Sequence, residues 1–163
     1  MQLRTDRLAK MGLLLAFGMI LSYIEILIPI APSMPGVKIG LSNTLVILLL
    51  YSYGTGYGIL YQISRILLTA LLFGNFFSCI YSLMGAGCSM LCMVLLKKSG
   101  LLDMPGVSML GGVAHNVGQL IAAGFFVQNT AIVWYIPILL IAGAVSGYLI
   151  GILGEILWKR RLL

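Results

Sequence analysis

Apolar residues run in long blocks along this chain, and polar residues fall in short punctuation between them. Leu8–Ile30 is the first block, long enough for a helix that crosses a bilayer, for which about 20 apolar residues are required. It closes on Pro29 and Pro32. Ala31–Gly40 follows, with Pro32, Pro35, Gly36 and Lys38. Proline cannot continue a helix and restricts the residue before it, so this stretch predicts an ordered, non-helical loop. A second helix is predicted over Leu41–Tyr53, stopped by Gly54, Gly56 and Gly58. The third covers Ile59–Phe73 and the fourth Phe76–Leu96. A polar turn, Lys97–Gly106, holds Asp103 and Pro105. The fifth helix spans Val107–Val127 and the sixth Ile132–Trp158. The second and third are shorter than an ideal crossing, which predicts tilt, local thinning or partial re-entry.

Composition makes lipid the solvent for these helices. Of 163 residues, 61% are hydrophobic and 9% charged, whereas a soluble domain carries roughly a quarter charged residues. The expectation is an all-α integral membrane protein, a compact bundle of six transmembrane helices in one domain over residues 1–163. The first block is too long for a signal peptide and lacks a convincing small-residue cleavage site, so it reads as a mature helix. The net charge of +6 would suggest nucleic acid in a soluble protein. Here the basic residues sit at segment ends, where they set orientation. Arg4, Arg7 and Lys10, then Lys97 and Lys98, then Lys159, Arg160 and Arg161 share one side if six crossings start from the cytoplasm. Lys38 alone falls outside. Both termini are therefore expected in the cytoplasm, and the expected location is a multiply crossed cell membrane, that of a bacterium.

Few side chains can carry chemistry. Cys79, Cys88 and Cys92 lie in apolar stretches without further ligands and read as buried small residues. No metal and no cofactor is expected. Small residues mark close helix contacts in lipid. Gly143, Gly147 and Gly151 form a doubled GxxxG, and Gly12 and Ala16 lie four apart on the first helix. Each set fits either internal packing or a partner interface. Tyr51, Tyr53, Tyr57 and Tyr61 read mostly as interfacial belt residues, with Trp134 and Trp158 at opposite faces. Glu155 is expected to pair with the basic tail or a partner.

Charged and polar groups at membrane depth are costly and mark sites or ion pairs. Glu25, Lys38, Asn43, Arg65, His115, Asn116 and Gln119 would converge in the outer half of a bundle, forming a cavity that binds a small molecule. Gln62, Arg65 and Thr69 make a polar stripe at helical spacing. Arg65 either pairs with Glu25 or holds an anionic or carbonyl-bearing ligand. His115 alone reads as structural, Lys38 as a lipid-phosphate contact.

Three stretches, SYIEILIPIAPSMPGVKIGLSNT (residues 22–44), ISRILLTALLFG (63–74) and GVAHNVGQLIAA (112–123), resemble the Gx transporter family, also labelled heptaprenyl diphosphate synthase component I. That family is similar to substrate-binding S components of energy-coupling factor (ECF) transporters, compact six-helix proteins that capture nutrients from outside. The resemblance implies a substrate-binding subunit, not itself an enzyme, partnered by a transmembrane coupling protein and two ATPases. It implies that Gly12 and Ala16 contact the coupling protein, where the usual signature is Ala-xxx-Ala, and that Ala31–Gly40 is a lid. The ligand would be anionic, polar-headed or amphiphilic. The synthase label implies a different role, an accessory subunit beside isoprenoid, quinone or membrane redox proteins. Prenyl elongation holds diphosphate through magnesium on clustered aspartates, and Asp6 and Asp103 are far apart.

Overall fold

The computed structural model of the protein describes residues 2–28, 40–127 and 132–160. The chain is an all-α membrane bundle: α1 Gln2–Leu27, α2 Thr44–Ser52, α3 Thr55–Phe73, α4 Phe76–Ser99, α5 Met104–Val127 and α6 Ile132–Lys159. A 3₁₀ turn, Leu41–Asn43, leads into α2. Among the described residues five helices are long and apolar enough to cross a membrane, and the segment Leu41–Ser52 is shorter. The 9 residues of α2 extend about 14 Å, half the hydrocarbon thickness.

Local signals explain most boundaries. Asn75 caps α4, its side chain accepting from the Ser78 N–H at 2.8 Å, and α4 runs on to Ser99 rather than ending at Leu96. Lys97 and Lys98 in its last turn complement the carbonyl end of the helix. Gly100, at φ 66°, then turns the chain out in the left-handed conformation. Asp103 caps α5, accepting from the Gly106 N–H at 2.9 Å. The helix therefore starts at Met104 and takes Pro105 into its first turn, where no backbone donor is missed. The predicted break at Gly54, Gly56 and Gly58 narrows to Gly54, at φ 95°. Gly56 and Gly58 lie within α3, which makes the third helix 19 residues long, a full-length crossing rather than a short one.

The helices make two layers. α4 and α6 each pack tightly against α5, while α1 and α3 form a looser wall with α2 set between wall and layer. Every residue from Thr44 to Leu50 is buried. A helix apolar on all sides belongs in a core, and this core also takes in Tyr61, Met90, Met93, Met104, Val107 and Ile150. Tyr61 was expected at the interfacial belt, but it is 2% exposed. Its ring lies over Gly18, where an added Cβ would stand 1.8 Å from the hydroxyl. That hydroxyl donates to the Leu14 carbonyl at 3.4 Å. The cysteines are free and half-buried. Glu155 pairs with Lys159 at 2.5 Å, one turn away on α6.

Gly143, Gly147 and Gly151 are buried on the α5 side of α6. Cβ atoms there would stand 2.8 Å from Gly112 O, 2.6 Å from Ser108 O and 2.5 Å from Pro105 Cα. The glycine stripe is thus an internal seam, which places these three residues out of a partner's reach. Gly12 and Ala16 lie differently: both are exposed on α1, and a Cβ at Gly12 would meet nothing within 4 Å.

Lys97 holds the C-terminal end of α2. Its Nζ donates to the Leu50 carbonyl at 2.5 Å and lies 4.7 Å from the centre of the Tyr51 ring. A cation at a helix C-terminus and over an aromatic face is favourable on both counts. Lys97→Met should therefore lower stability by about 1–2 kcal/mol, seen as a lower thermal midpoint in detergent. An unchanged midpoint would show that the clamp contributes nothing.

Candidate functional site

Arg65 is placed by α3 at mid-depth, facing the α1 wall and the start of α2. Its Nη1 donates to Ser22 Oγ at 3.0 Å and Ser42 Oγ at 2.8 Å, and its Nη2 donates to Asn43 Oδ1 at 2.9 Å. The residue is 8% exposed, and Nε is buried without a partner among the described residues. All three acceptors are neutral oxygens. A guanidinium has five N–H donors and cannot shed its charge, so this cation sits in the bundle without touching an anion among the described residues.

Glu25 does not pair with Arg65 directly. Its Oε1 accepts from the Leu41 backbone N–H, and its Oε2 accepts from the Ser42 hydroxyl at 3.2 Å. Ser42 thus stands between the two charges, donating to the carboxylate and accepting from the guanidinium. The carboxylate also faces the N–H groups that open the 3₁₀ turn and α2, where the helix dipole is positive. Glu25 caps the 3₁₀ turn that leads into the short α2, and Ser42 bridges it to Arg65 by hydrogen bonds.

On the opposite layer α5 carries His115, Asn116 and Gln119. The Asn116 amide donates to the Leu139 carbonyl of α6 at 2.6 Å, which ties α5 to α6. His115 packs at the crossing with α4. A Cβ at Gly85 would lie 2.9 Å from its Nε2 and 3.0 Å from Gln119 Cγ, so glycine at this position admits both side chains.

Between the layers lies a cavity of about 300 Å³. Glu25, Asn43, Arg65, His115, Asn116 and Gln119 all line it. The structure thus brings six of the seven candidate residues onto one hollow. Lys38, with the rest of the proposed lid except Gly40, lies outside the described residues. The lining reaches the α3–α4 turn at Gly74 and Asn75, opposite the basic helix ends, and descends to Met93, Ser108 and Ile150. The site is therefore deeper than the outer half.

Sequence reading left several lining residues out of the site. Ser22 and Ser42 hold Arg65, and Gln62 and Thr69 flank it along α3. Ser78, Ser82 and Ser89 face the cavity from α4, Ser108 from α5 and Ser146 from α6. A signal for them existed. Positions 78, 82 and 89 fall on one helical face, as do 108, 115 and 119. Gln62 Oε1 and Thr69 Oγ1, like Arg65 Nε, are buried without a hydrogen-bond partner among the described residues. Native proteins leave few such groups, and each asks for an explanation. Among the described residues no three His, Cys, Asp or Glu side chains group closely enough to hold a metal ion.

A family model described as heptaprenyl diphosphate synthase component I matches residues 14–157. No curated protein and no solved structure matches the chain.

Proposed function

The chain belongs to the heptaprenyl diphosphate synthase component I family, and from that premise we propose that it is the substrate-capture subunit of a small-molecule uptake system. In this reading it takes an anionic or polar-headed molecule from the outer side into the cavity between its layers. It carries out no chemistry on the molecule. The supporting observation is Arg65: a buried cation on the cavity wall, held by neutral oxygens, with its Nε unpartnered among the described residues. Concave sites with a few convergent polar groups are the usual form of small-molecule sites. Energy would come from partners of the ECF type, a coupling protein and two ATPases. The exposed face of α1 with Gly12 and Ala16 is where such a coupling protein would pack.

A second reading follows from the family's description: a non-catalytic accessory subunit beside a prenyl diphosphate synthase. It needs no occupant in the cavity.

Native mass spectrometry of the gently solubilised protein separates the two. The capture reading expects a small molecule that co-purifies with wild type and is absent from an Arg65→Gln variant of equal yield. An empty cavity in every preparation, together with co-purification of a prenyltransferase, would overturn it in favour of the second reading.

A further inference from the structure

The cavity's charge, size and unpaired atoms narrow the occupant, on the premise that the chain captures a small molecule at all. Glu25 and Arg65 are the described cavity-lining residues that carry a fixed charge. Glu25 already accepts from the Leu41 N–H and from Ser42. A carboxylate so satisfied, at the positive end of a helix, is accounted for. Arg65 has that carboxylate only across Ser42; every oxygen it touches is neutral, and a guanidinium is held most strongly by an anion in direct contact. One guanidinium with no anion in contact among the described residues calls for one negative charge. A diphosphate, with several charges in a small volume, finds too few cations among these residues.

Size points the same way. About 300 Å³ is the lower end of the range for small-molecule sites. With a water occupying about 30 Å³ of liquid, it admits roughly ten to twenty non-hydrogen atoms. A seven-unit prenyl chain is several times larger. The walls also oppose a long hydrocarbon, because Ser78, Ser82, Ser89, Ser108 and Ser146 bring hydroxyls from three helices. Walls that carry hydroxyls suit a polar occupant better than an alkyl chain.

Among the described residues Arg65 Nε lacks an acceptor, and the Gln62 amide oxygen, one turn away on the same wall, lacks a donor. Side chains three apart on a helix are about 5–6 Å apart at Cβ. We infer that the ligand is a monoanionic organic acid of about ten to twenty non-hydrogen atoms that also carries an N–H or O–H donor close to its acidic group. Its acid accepts from Arg65, its donor serves Gln62, and its remaining polar groups meet the serines.

The probes are matched sets of hydroxy acids, their deoxy acids and their primary amides, titrated onto the full chain in nanodiscs with thermal shift and native mass spectrometry as readouts. Acids should bind at least about tenfold tighter than the amides, as a charge-assisted hydrogen bond requires. Hydroxy acids should bind several-fold tighter than deoxy acids, and Gln62→Leu should erase that second preference while leaving the first. Amides that bind as well as acids overturn the assignment, as does a prenyl phosphate that binds better than any acid. The wild-type comparison stands even where a variant fails to fold. A neutral or long-chain molecule found co-purified would overturn the ligand class and leave capture intact. No binding by any probe and no co-purified molecule would overturn both.

Discussion

Gly143→Leu should abolish the folded bundle, while Gly12→Leu should leave it intact. The two positions look alike in sequence, each a glycine in an apolar helix with a small residue four positions away. Their surroundings differ completely. A Cβ at Gly143 would stand 2.7 Å from Asn116 Nδ2 and 2.8 Å from the Gly112 carbonyl, and one at Gly112 would stand 2.2 Å from Gly143 O. Much of what is struck is backbone, which cannot rotate away. The Asn116 amide that reaches the Leu139 carbonyl at 2.6 Å runs beside the same point, so a leucine would displace that bond as well. Overpacking by single methylenes costs about 1–3 kcal/mol, and in lipid no hydrophobic force opposes separation of the helices. Gly143→Leu should therefore cost about 3 kcal/mol or more. The expected signs are loss of the monodisperse peak on size exclusion in detergent and a thermal midpoint many degrees lower. At Gly12 a side chain enters open space, and the midpoint should stay within error. Equal tolerance at both positions would mean that α5 and α6 do not meet at this seam.

The same contrast shows where sequence stops being informative. Long apolar blocks, basic ends and punctuating glycines and prolines made the helical bundle legible, because each reflects a local requirement of chain in lipid. Capping was legible too: Asp103 two residues before Pro105 is a helix start, and reading it as a turn delayed α5 by three residues. Burial was not. Thr44–Leu50 is apolar on every side, and in a membrane protein that pattern describes a lipid-facing helix as well as a central one. Tyr61 reads as a belt residue until Gly18 is seen beneath its ring. For the site, Arg65, Glu25 and the α5 cluster stood out because ionisable and amide groups are rare at membrane depth. Ser42 did not, since a serine next to an asparagine after a proline-rich loop has no distinctive signal. Its place between the two charges follows from α1, the 3₁₀ turn and α3 meeting, a tertiary fact that no spacing encodes.

The Ser42 link predicts a sign that an isolated arginine would not give. Arg65→Met removes three hydrogen bonds and also the positive charge that Ser42 links to Glu25, leaving that carboxylate, among the described residues, with the helix end and Ser42. Breaking a buried charge arrangement on one side costs about 3–5 kcal/mol. Glu25 is half-buried and Ser42 separates the groups, so the lower figure applies, about 3 kcal/mol. Glu25→Gln added to Arg65→Met should restore at least about 1 kcal/mol of that loss. A glutamine oxygen can still accept from the Leu41 N–H, and no uncompensated charge remains. In an otherwise wild-type chain Glu25→Gln should instead destabilise, because it removes the carboxylate that partly offsets Arg65 across Ser42. The double variant should remain unable to bind an acid, since the guanidinium is gone. Thermal unfolding of the four proteins in one detergent gives the coupling, and titration with a hydroxy acid gives the binding. A double variant no more stable than Arg65→Met would show that the two charges are not coupled. If it were stable and also bound the acid, Arg65 would have no part in recognition. Restored stability with lost binding would assign Glu25 to holding the entry of α2 and Arg65 to the ligand, with Ser42 as the group through which an arriving anion is felt at the start of that helix.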